Sequence, residues 1–409
     1  MKLSSLIAAS TVGAIVALSC IGPVAAQEPT GRSPIPERLS SPAAAHSQLS
    51  RLTSDEAGNL YLSWVTRRGD TAALAFASFN GTGWSAPATI SEGADWFLNW
   101  ADFPRLSVHD GSMVAHWLRR SGDGGYDYDV VTSFHDAAQR RWRDGTVLNT
   151  DGVRAEHGFV SMTPTETNRT LITWLDGRRT KREPDAAPMT LRGAEFTGAG
   201  ERLAEWELDA RVCDCCQTAA AMTSRGPVVV YRDRSPDEIR DIAIVRRVDG
   251  EWTQPRTLHG DGWQVAGCPV NGPAIAARAD DVAVVWYTAR DGVPKVQLAV
   301  SRDAGEHFGA PTLIAGPDTL GRVDVTLLAD GDIVASWLDT GKQDTRIMLS
   351  RFSTDGVFID AVEVAATLPS RRSGFPAIEG VGNTVYVTWT DISDTPRVNI
   401  ARVRYGGAP

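Results

Sequence analysis

The sequence predicts an all-β fold, a β-propeller of four-stranded blades, and three observations support this prediction. A strand pattern that ends in an aromatic residue recurs seven times, with the aromatic residues 53, 57, 57, 55, 51 and 52 positions apart. These aromatic residues are Trp64, Trp117, Trp174, Tyr231, Trp286, Trp337 and Trp389. Alternating, β-branched segments fill the intervals, and no stretch sustains an apolar period near 3.6 over helix length. We predict seven blades, with six as the alternative if one repeat is not a true blade.

The fifth repeat shows the predicted blade most clearly. Its four strand segments are "GPAIAARAD", "DVAVVWYT", "KVQLAVS" and "GAPTLIAG", between positions 272 and 316. Four antiparallel strands repeated about an axis leave only short, protected sheet edges. The recurring aromatic residue is on the second strand of each repeat, where we expect it to pack in the core between neighbouring blades.

The last repeat has only three strand segments before the chain ends, so a fourth must come from elsewhere. We expect "PERLSSP", at positions 36–42, to supply it and close the ring. The predicted organisation is therefore an N-terminal segment at 27–46, which provides the closing strand, and a propeller at 47–409.

Residues 1–26 have the features of a secretory signal peptide. Lys2 is a short basic region, Leu6–Leu18 is apolar, and "VAA" precedes Gln27. In the alternative interpretation, "ALSC" is a lipoprotein cleavage box that ends at Cys20. Both interpretations predict an exported protein, periplasmic or secreted, and the second adds a lipid anchor. No segment has the roughly 20 apolar residues of a transmembrane span.

The charge composition bears on the partners of the protein. The net charge is −9 and the sequence pI is about 5.4, so we do not expect a nucleic-acid partner. Apart from four lysines, every basic side chain is arginine. A GC-rich genome explains this bias, and so does a need for bidentate contacts with carboxylates. No loop sequence indicates a large apolar docking surface, and we expect a monomer.

The segment "SRDAGEHF" fits the Asp-box pattern at Ser301, Asp303, Gly305 and Phe308. In such a turn the aspartate accepts backbone N–H bonds, the glycine permits a positive φ, and the aromatic residue packs beneath. Degenerate copies precede Trp84, Trp252 and Phe358. With the repeat period, this pattern resembles the Asp-box (BNR-repeat) propellers of the sialidase superfamily. The pair "CDCCQT" and "GCPVNGP" is similar to exported bacterial sialidase-like proteins.

The resemblance implies a propeller fold and, for an active sialidase, a defined set of catalytic groups. Three arginines hold the sugar carboxylate, a Tyr–Glu pair supplies the nucleophile, and an aspartate acts as acid and base. The family's Phe-Arg-Ile-Pro motif is not found, and "FPRL" at positions 103–106 is a scrambled form. None of the family's catalytic residues transfers by motif.

Charged residues concentrate in the loops between the second and third strands and between blades, which emerge on one face of a propeller. The weak catalytic candidates among them are Arg154, Glu156, His157, Asp209, Arg211, Arg232, Asp233, Arg322, Asp324 and Arg372. Arg–Asp pairs here staple neighbouring blades or bind a small polar or carboxylate-bearing ligand, for which a glycan is one candidate. For His157, an acid–base or ligand-binding role competes with a structural one.

The mature chain contains four cysteines, Cys213, Cys215, Cys216 and Cys268, which precede the inner strands of adjacent blades. We therefore expect Cys268 to lie near the other three. Three interpretations remain open: two structural disulfides, a copper or zinc site, and one stable bridge with an exchanging thiol pair. The C-x-C-C spacing is not that of a zinc finger.

These observations lead to competing functional hypotheses. The first is an extracytoplasmic sialidase-like propeller that binds a small polar or anionic ligand at the arginine-rich face, with a structural or metal-binding cysteine cluster. The alternatives are an exo-α-sialidase-type glycoside hydrolase and a copper- or zinc-binding periplasmic protein. Three converging arginines opposite a Tyr–Glu pair would favour the hydrolase.

Overall fold

The computed structural model describes residues 34–181, 188–341 and 344–406, so the predicted signal peptide and the cleavage site at Cys20 lie outside the described residues. The described chain forms seven antiparallel sheets of four or five strands. The innermost strands of consecutive sheets contact one another in a closed ring, and the last contacts the first. The structure confirms the predicted all-β propeller and settles the blade count at seven.

The first strand, β1, belongs to the last blade, and blades one to three follow it. Strand β1 is Glu37–Leu39. Blade one contains β2 Ser47–Ser54, β3 Leu60–Arg68, β4 Thr71–Phe79 and β5 Ala88–Gly93. Blade two contains β6 Arg105–His109, β7 Ser112–Arg120, β8 Tyr128–Asp136, β9 Arg141–Trp142 and β10 Thr146–Val147. Blade three contains β11 His157–Pro164, β12 Arg169–Asp176, β13 Met189–Thr197 and β14 Arg202–Val212.

Blades four to seven repeat this arrangement. Blade four contains β15 Ala219–Thr223, β16 Gly226–Arg232, β17 Ile242–Val248, β18 Glu251–Trp252 and β19 Arg256–His259. Blade five contains β20 Ala274–Arg278, β21 Asp281–Thr288, β22 Lys295–Ser301 and β23 Thr312–Ala315. Blade six contains β24 Thr319–Leu327, β25 Ile333–Asp339, β26 Thr345–Phe352 and β27 Phe358–Thr367. Blade seven contains β28 Ala377–Val381, β29 Thr384–Asp391 and β30 Arg397–Arg404.

Helical structure in the described residues is limited to two short 3-10 turns, Arg290–Gly292 and Arg371–Ser373. No described helix combines the length and the apolar character needed to cross a membrane.

Strand β1 is the outermost strand of blade seven. It pairs antiparallel with β30, with Glu37 opposite Arg402 and Leu39 opposite Ile400. Arg402 donates to the Glu37 carboxylate at 2.7 and 2.9 Å, and Arg404 donates to it at 2.7 Å. The bonds from Arg402, and then those from Arg404, lower the pKa of Glu37 to about 2. The two ends of the chain are therefore joined in one sheet.

The seven recurring aromatic residues are all buried, with exposed fractions from 0% to 7%, which confirms their core position. Two of the indole N–H groups find buried acceptors. Trp174 donates to Asp176 Oδ2 at 2.8 Å, and Trp286 donates to Asp261 Oδ2 at 2.7 Å. Each bond satisfies a polar group that would otherwise be costly to bury in the core.

The hairpin between β22 and β23 contains the segment 301–308. The Asp303 carboxylate accepts the backbone N–H of His307 at 2.8 Å and the Ser301 hydroxyl at 2.7 Å. Gly305 has a φ of +77°, and Phe308 packs against the apolar cluster between blades four and five. Although partial burial opposes it, the bonds from His307 and Ser301 lower the pKa of Asp303. These contacts fix the local turn.

Candidate functional site

Three segments of the chain meet where blade three joins blade four. The cysteine segment lies between β14 and β15, and the Cys213 N–H donates to the Arg232 carbonyl at 3.0 Å. The loop after β16 turns back over this segment. The Val265 N–H donates to the Glu238 carbonyl of that loop at 3.0 Å, which brings the chain preceding Cys268 to the same place. Residues distant in sequence thus form one site.

The four thiols form a cluster, which we call the thiol cluster. Cys213 Sγ and Cys216 Sγ are 3.1 Å apart, and the sulfurs of Cys213, Cys215 and Cys216 all lie within 4.8 Å of one another. Cys268 contacts the Cys215 thiol and is the most exposed member. All four are free thiols, of which Cys213 and Cys216 are buried.

Two arginines and two carboxylates lie beside the thiol cluster. Arg240 Nη1 donates to Cys213 Sγ at 3.2 Å, and its Nη2 donates to Glu238 at 2.7 Å. Arg234 bridges Glu238, at 2.8 Å, and Asp214, at 3.0 Å. This ion-pair chain holds the Arg240 guanidinium against the sulfur, where its charge favours a thiolate.

The contacts among the sulfurs distribute their protons unequally. Burial opposes ionisation of Cys213, but hydrogen bonds from Cys215 and Cys216, and then the charge of Arg240, lower the pKa of the Cys213 thiol. The contact with Cys213 raises the pKa of Cys215, and burial raises that of Cys216. The hydrogen bond with Cys215 also lowers the pKa of Cys268. A metal ion that replaced the remaining protons would find three sulfur donors already assembled.

A buried tyrosine links two carboxyl groups near the thiol cluster. Tyr128 OH bonds to Glu156 Oε1 at 2.9 Å and to Asp102 Oδ2 at 3.2 Å. The Phe159 N–H donates to Asp102 Oδ1 at 2.8 Å. Burial, with a smaller contribution from Asp214, raises the pKa of Glu156 to about 7. Burial also raises the pKa of Asp102 to about 8, so Asp102 keeps its proton at neutral pH.

The Asp102 carboxyl group gives a pH-dependent stability. Its pKa is about 8 when folded and near 3.8 when unfolded, so the folded protein retains a proton that the unfolded chain has lost. Stability should therefore fall as the pH rises from about 4 to about 8, by up to about 1.4 kcal/mol per pH unit. We expect D102N to lose less stability than the wild type between pH 5 and 8 in urea unfolding. The exposed control D123N should follow the wild type; identical profiles for D102N and wild type would contradict the expectation.

The structure places His157 in the interior. Its side chain has no exposed surface; Nδ1 is 3.2 Å from the Tyr128 carbonyl, and Nε2 is 3.1 Å from Asp151. Although burial opposes it, the Asp151 and Asp176 carboxylates raise the pKa of His157. This position favours the structural role of His157 over a role at a substrate.

Arg232 is a buried connection between blades four and five. Its guanidinium donates to three backbone carbonyls at 2.6 to 3.0 Å, those of Asn271, Arg240 and Tyr287. Its side chain is among the largest fully buried side chains. Arg232 therefore joins the two blades through backbone carbonyls and not through the Arg–Asp pair that the sequence suggested.

A second tyrosine–carboxylate pair lies at the start of blade four. Tyr231 OH donates to Asp209 Oδ2 at 2.6 Å, and the Arg211 N–H donates to Asp209 Oδ1 at 3.0 Å. Burial, then Asp209 and Asp241, raise the pKa of the adjacent Asp233 to about 6. Tyr231 and Tyr128 are both fully buried. Each hydroxyl group bonds to a carboxyl group, but neither reaches solvent at this face.

Arg322, Arg371 and Trp100 lie close together, and we call this group of residues the arginine cleft. Arg322 Nη1 donates to the Ser370 and Gly374 carbonyls at 3.0 and 2.8 Å. The Arg322 and Arg371 guanidinium carbons lie 4.9 and 5.8 Å from the Trp100 ring centroid. Burial, and then the charge of Arg371, lower the pKa of Arg322 to about 10.

Neither arginine of the cleft forms a salt bridge with a described residue. The remaining candidates lie elsewhere. Arg372 is exposed beside the cleft, and Arg154 is exposed near Asp127. Asp324 is on inner strand β24, where its carboxylate accepts the Val325 and Ile378 N–H groups.

Several groups that shape these sites were not predicted from the sequence: Arg240, Asp102, Tyr128 and Trp100. They contact the sites through packing between residues that are distant in sequence. All four nevertheless lie in or beside the loops that precede inner strands or follow second strands. The charge-rich loop around Arg240 was a signal that could have drawn attention to it.

Neither a scan of protein families nor a search of curated proteins finds a match. Among solved structures, the chain is similar to the polysaccharide lyase Uly1, with 10% identity, a TM-score of 0.56, and coverage of 87% of this chain and 90% of the lyase. The GH93 α-L-arabinofuranosidase of Fusarium graminearum has 12% identity, coverage of 89% and 98%, and a TM-score of 0.49. The NanB sialidase of Streptococcus pneumoniae has 12% identity, coverage of 90% and 70%, and a TM-score of 0.43. The likeness to the lyase shows that the two chains share the propeller fold.

Proposed function

We propose that this protein is an extracytoplasmic propeller that binds a soft metal ion, Cu(I) foremost and Zn(II) as the alternative, through its thiol cluster. The observation that carries the proposal is the convergence of the Cys213, Cys215 and Cys216 sulfurs within 4.8 Å of one another. Thiolate ligands favour Cu(I) and Zn(II) among biological metals. Three mutually close sulfurs suit a three-coordinate Cu(I) ion, whereas Zn(II) would also need Cys268 to complete four sulfur ligands.

The arrangement favours a metal over two disulfides because the sulfurs converge rather than pair. Cys215 contacts Cys213, Cys216 and Cys268 at once. A disulfide between any two of these cysteines would take both of their sulfurs out of the shared contacts around Cys215. In addition, the Arg240 hydrogen bond to Cys213 supports a thiolate, the form that binds metal and that a disulfide abolishes.

Mass spectrometry of the mature, exported protein tests this proposal. Under native conditions we expect one copper or zinc ion per chain, and under denaturing conditions the mass of the fully reduced thiols. A competing Cu(I) chelator of known affinity should then give one tight site. A denatured mass about four units below the all-thiol value, with no bound metal, would show two disulfides and overturn the proposal.

A second function is supported by the arginine cleft, where we propose binding of a carboxylate-bearing ligand such as an acidic glycan. Arg322 and Arg371 both lie over the Trp100 ring and repel each other, and a carboxylate bound to both would neutralise that charge. The burial of Tyr128 and Tyr231 argues against a sialidase-type nucleophile at this face. We therefore favour ligand binding without hydrolysis.

Calorimetric titration with glucuronate and sialic acid tests the second function. Binding should weaken at least about tenfold in R371M, because a charge-assisted contact contributes about 1.5–3 kcal/mol. R141M, which removes an exposed arginine from the outer edge of blade two, is the matched control. Equal affinity in R371M and R141M would exclude the cleft, and turnover of a fluorogenic sialoside would favour the hydrolase instead.

A further inference from the structure

Two arginines of the inner strands point into the central channel of the propeller. Arg51 on β2 and Arg105 on β6 line a cavity of about 670 Å³ and also a smaller one of about 90 Å³. The larger cavity extends to the turns that join first and second strands, where Asp55, Glu56 and Arg278 border it. It therefore opens on the face opposite to the thiol cluster and the arginine cleft.

Neither guanidinium has a direct polar partner in the part of the chain that the structure describes. No hydrogen bond or salt bridge joins the side chain of Arg51 or Arg105 to another described residue. The Nε atoms of both are buried without a partner, and Arg51 as a whole is only 8% exposed. The Arg51 guanidinium carbon lies 3.3 Å from the Phe103 ring centroid, which compensates its charge only in part.

The acidic groups nearest to these arginines have other donors. Both Asp324 oxygens accept backbone N–H groups at 3.0 Å, and both Asp102 oxygens are likewise occupied. Asp102 is protonated at neutral pH, since burial raises its pKa to about 8. Burial, and then the charge of Arg105, lower the pKa of the adjacent His116 to about 3, so His116 is neutral. Asp324 is therefore the nearby carboxylate whose charge acts on both guanidinium groups, but it forms no ion pair with either of them.

Two neighbouring guanidinium groups without hydrogen-bond or ion-pair partners are costly, because each charge is desolvated and the two repel each other. Burial, and then the charge of Arg105, lower the pKa of Arg51, which reflects both effects. Arginine remains protonated in proteins, so the cost is relieved by an anion rather than by loss of a proton.

We propose that a small oxyanion binds in the central channel between Arg51 and Arg105. The planar guanidinium fork matches two oxygens of a carboxylate, sulfate or phosphate, which gives these anions an advantage over chloride. The cavity has ample room for any of them. The site is distinct from both sites proposed above, because no residue of the thiol cluster or the arginine cleft lines the larger cavity.

The test uses the full mature chain with two probes, sodium sulfate for a tetrahedral anion and sodium acetate for a carboxylate. In calorimetric titrations and thermal unfolding at constant ionic strength, at least one probe should bind and, at about 10 mM, raise the Tm by about 2 °C or more over chloride. R51M and R105M should lose this shift. R68M, which removes an exposed and unpaired arginine, should keep it. The low concentration and this control separate binding from the general stabilising effect of sulfate.

Crystals soaked in selenate supply a readout that does not depend on a variant folding. An anomalous peak between the two guanidinium groups is expected. The proposal would be overturned if neither probe shifted the Tm relative to chloride, or if R51M and R68M gave equal shifts. If sulfate is the probe that shifts the Tm, the absence of an anomalous peak at this position would overturn it as well. A response to acetate but not sulfate, or the reverse, would support it and identify the anion class.

Discussion

Replacing Cys213 with serine is expected to weaken Cu(I) binding by more than the loss of a residue that only supports a metal ligand would. Loss of such a supporting residue costs roughly 10- to 100-fold in metal affinity. Cys213 contacts both neighbouring thiols, and Arg240 favours its thiolate form. Serine removes the soft, readily ionised donor and keeps the size of the side chain. Competition with a chelator of known Cu(I) affinity measures the effect.

Two further variants make this prediction specific. R240M should weaken Cu(I) binding by roughly 10- to 100-fold, because it removes the hydrogen-bond donor to Cys213 and leaves all four sulfurs in place. C268S is the matched cysteine-to-serine control, since Cys268 is exposed and contacts only Cys215 within the cluster. An equal loss of Cu(I) affinity in C268S and C213S would indicate a four-sulfur site of the kind that binds zinc, and would contradict the three-sulfur site.

Replacing Arg232 with methionine is expected to destabilise the protein by about 3 kcal/mol or more. Removing the guanidinium leaves the Asn271, Arg240 and Tyr287 carbonyls without this donor, and each unsatisfied buried group costs about 1–3 kcal/mol. Methionine fills much of the same volume, so lost packing contributes little. Urea unfolding monitored by tryptophan fluorescence gives the difference.

R232K serves as an intermediate control, because lysine keeps the charge but cannot donate along the same fork. We expect its stability to lie between those of the wild type and R232M. A change within about 0.5 kcal/mol for R232M, the level of a neutral surface substitution, would show that Arg232 does not hold blades four and five together.

The seven blades could be predicted from sequence because each repeat records its fold locally. Alternation, a turn and a terminal aromatic residue are properties of neighbouring positions, and their recurrence needs no knowledge of distant contacts. The positions of Trp174 and Trp286 in the core follow from the same pattern. Their acceptors, Asp176 and Asp261, do not, since those contacts depend on how each loop folds back.

The candidate sites were less predictable because similar loop arginines occupy different environments. Arg232 and Arg322 both adjoin the same face and both are buried. Arg232 is enclosed by carbonyls from three segments, whereas Arg322 bonds through one nitrogen and lies over the Trp100 ring together with Arg371. The sequence pattern around each residue carries no information about these partners, which lie in other segments of the chain.

Pairing of β1 with β30 has a consequence for the order of events during folding. The Glu37–Arg402 contact joins residues 365 positions apart, so the last sheet cannot form until nearly the entire chain has been synthesised. Until then β1 has no partner strand, and unpaired strands of this kind pair readily with other chains. Closure of the ring is a late, long-range step that should set the folding rate and determine when the nascent protein ceases to be prone to aggregation.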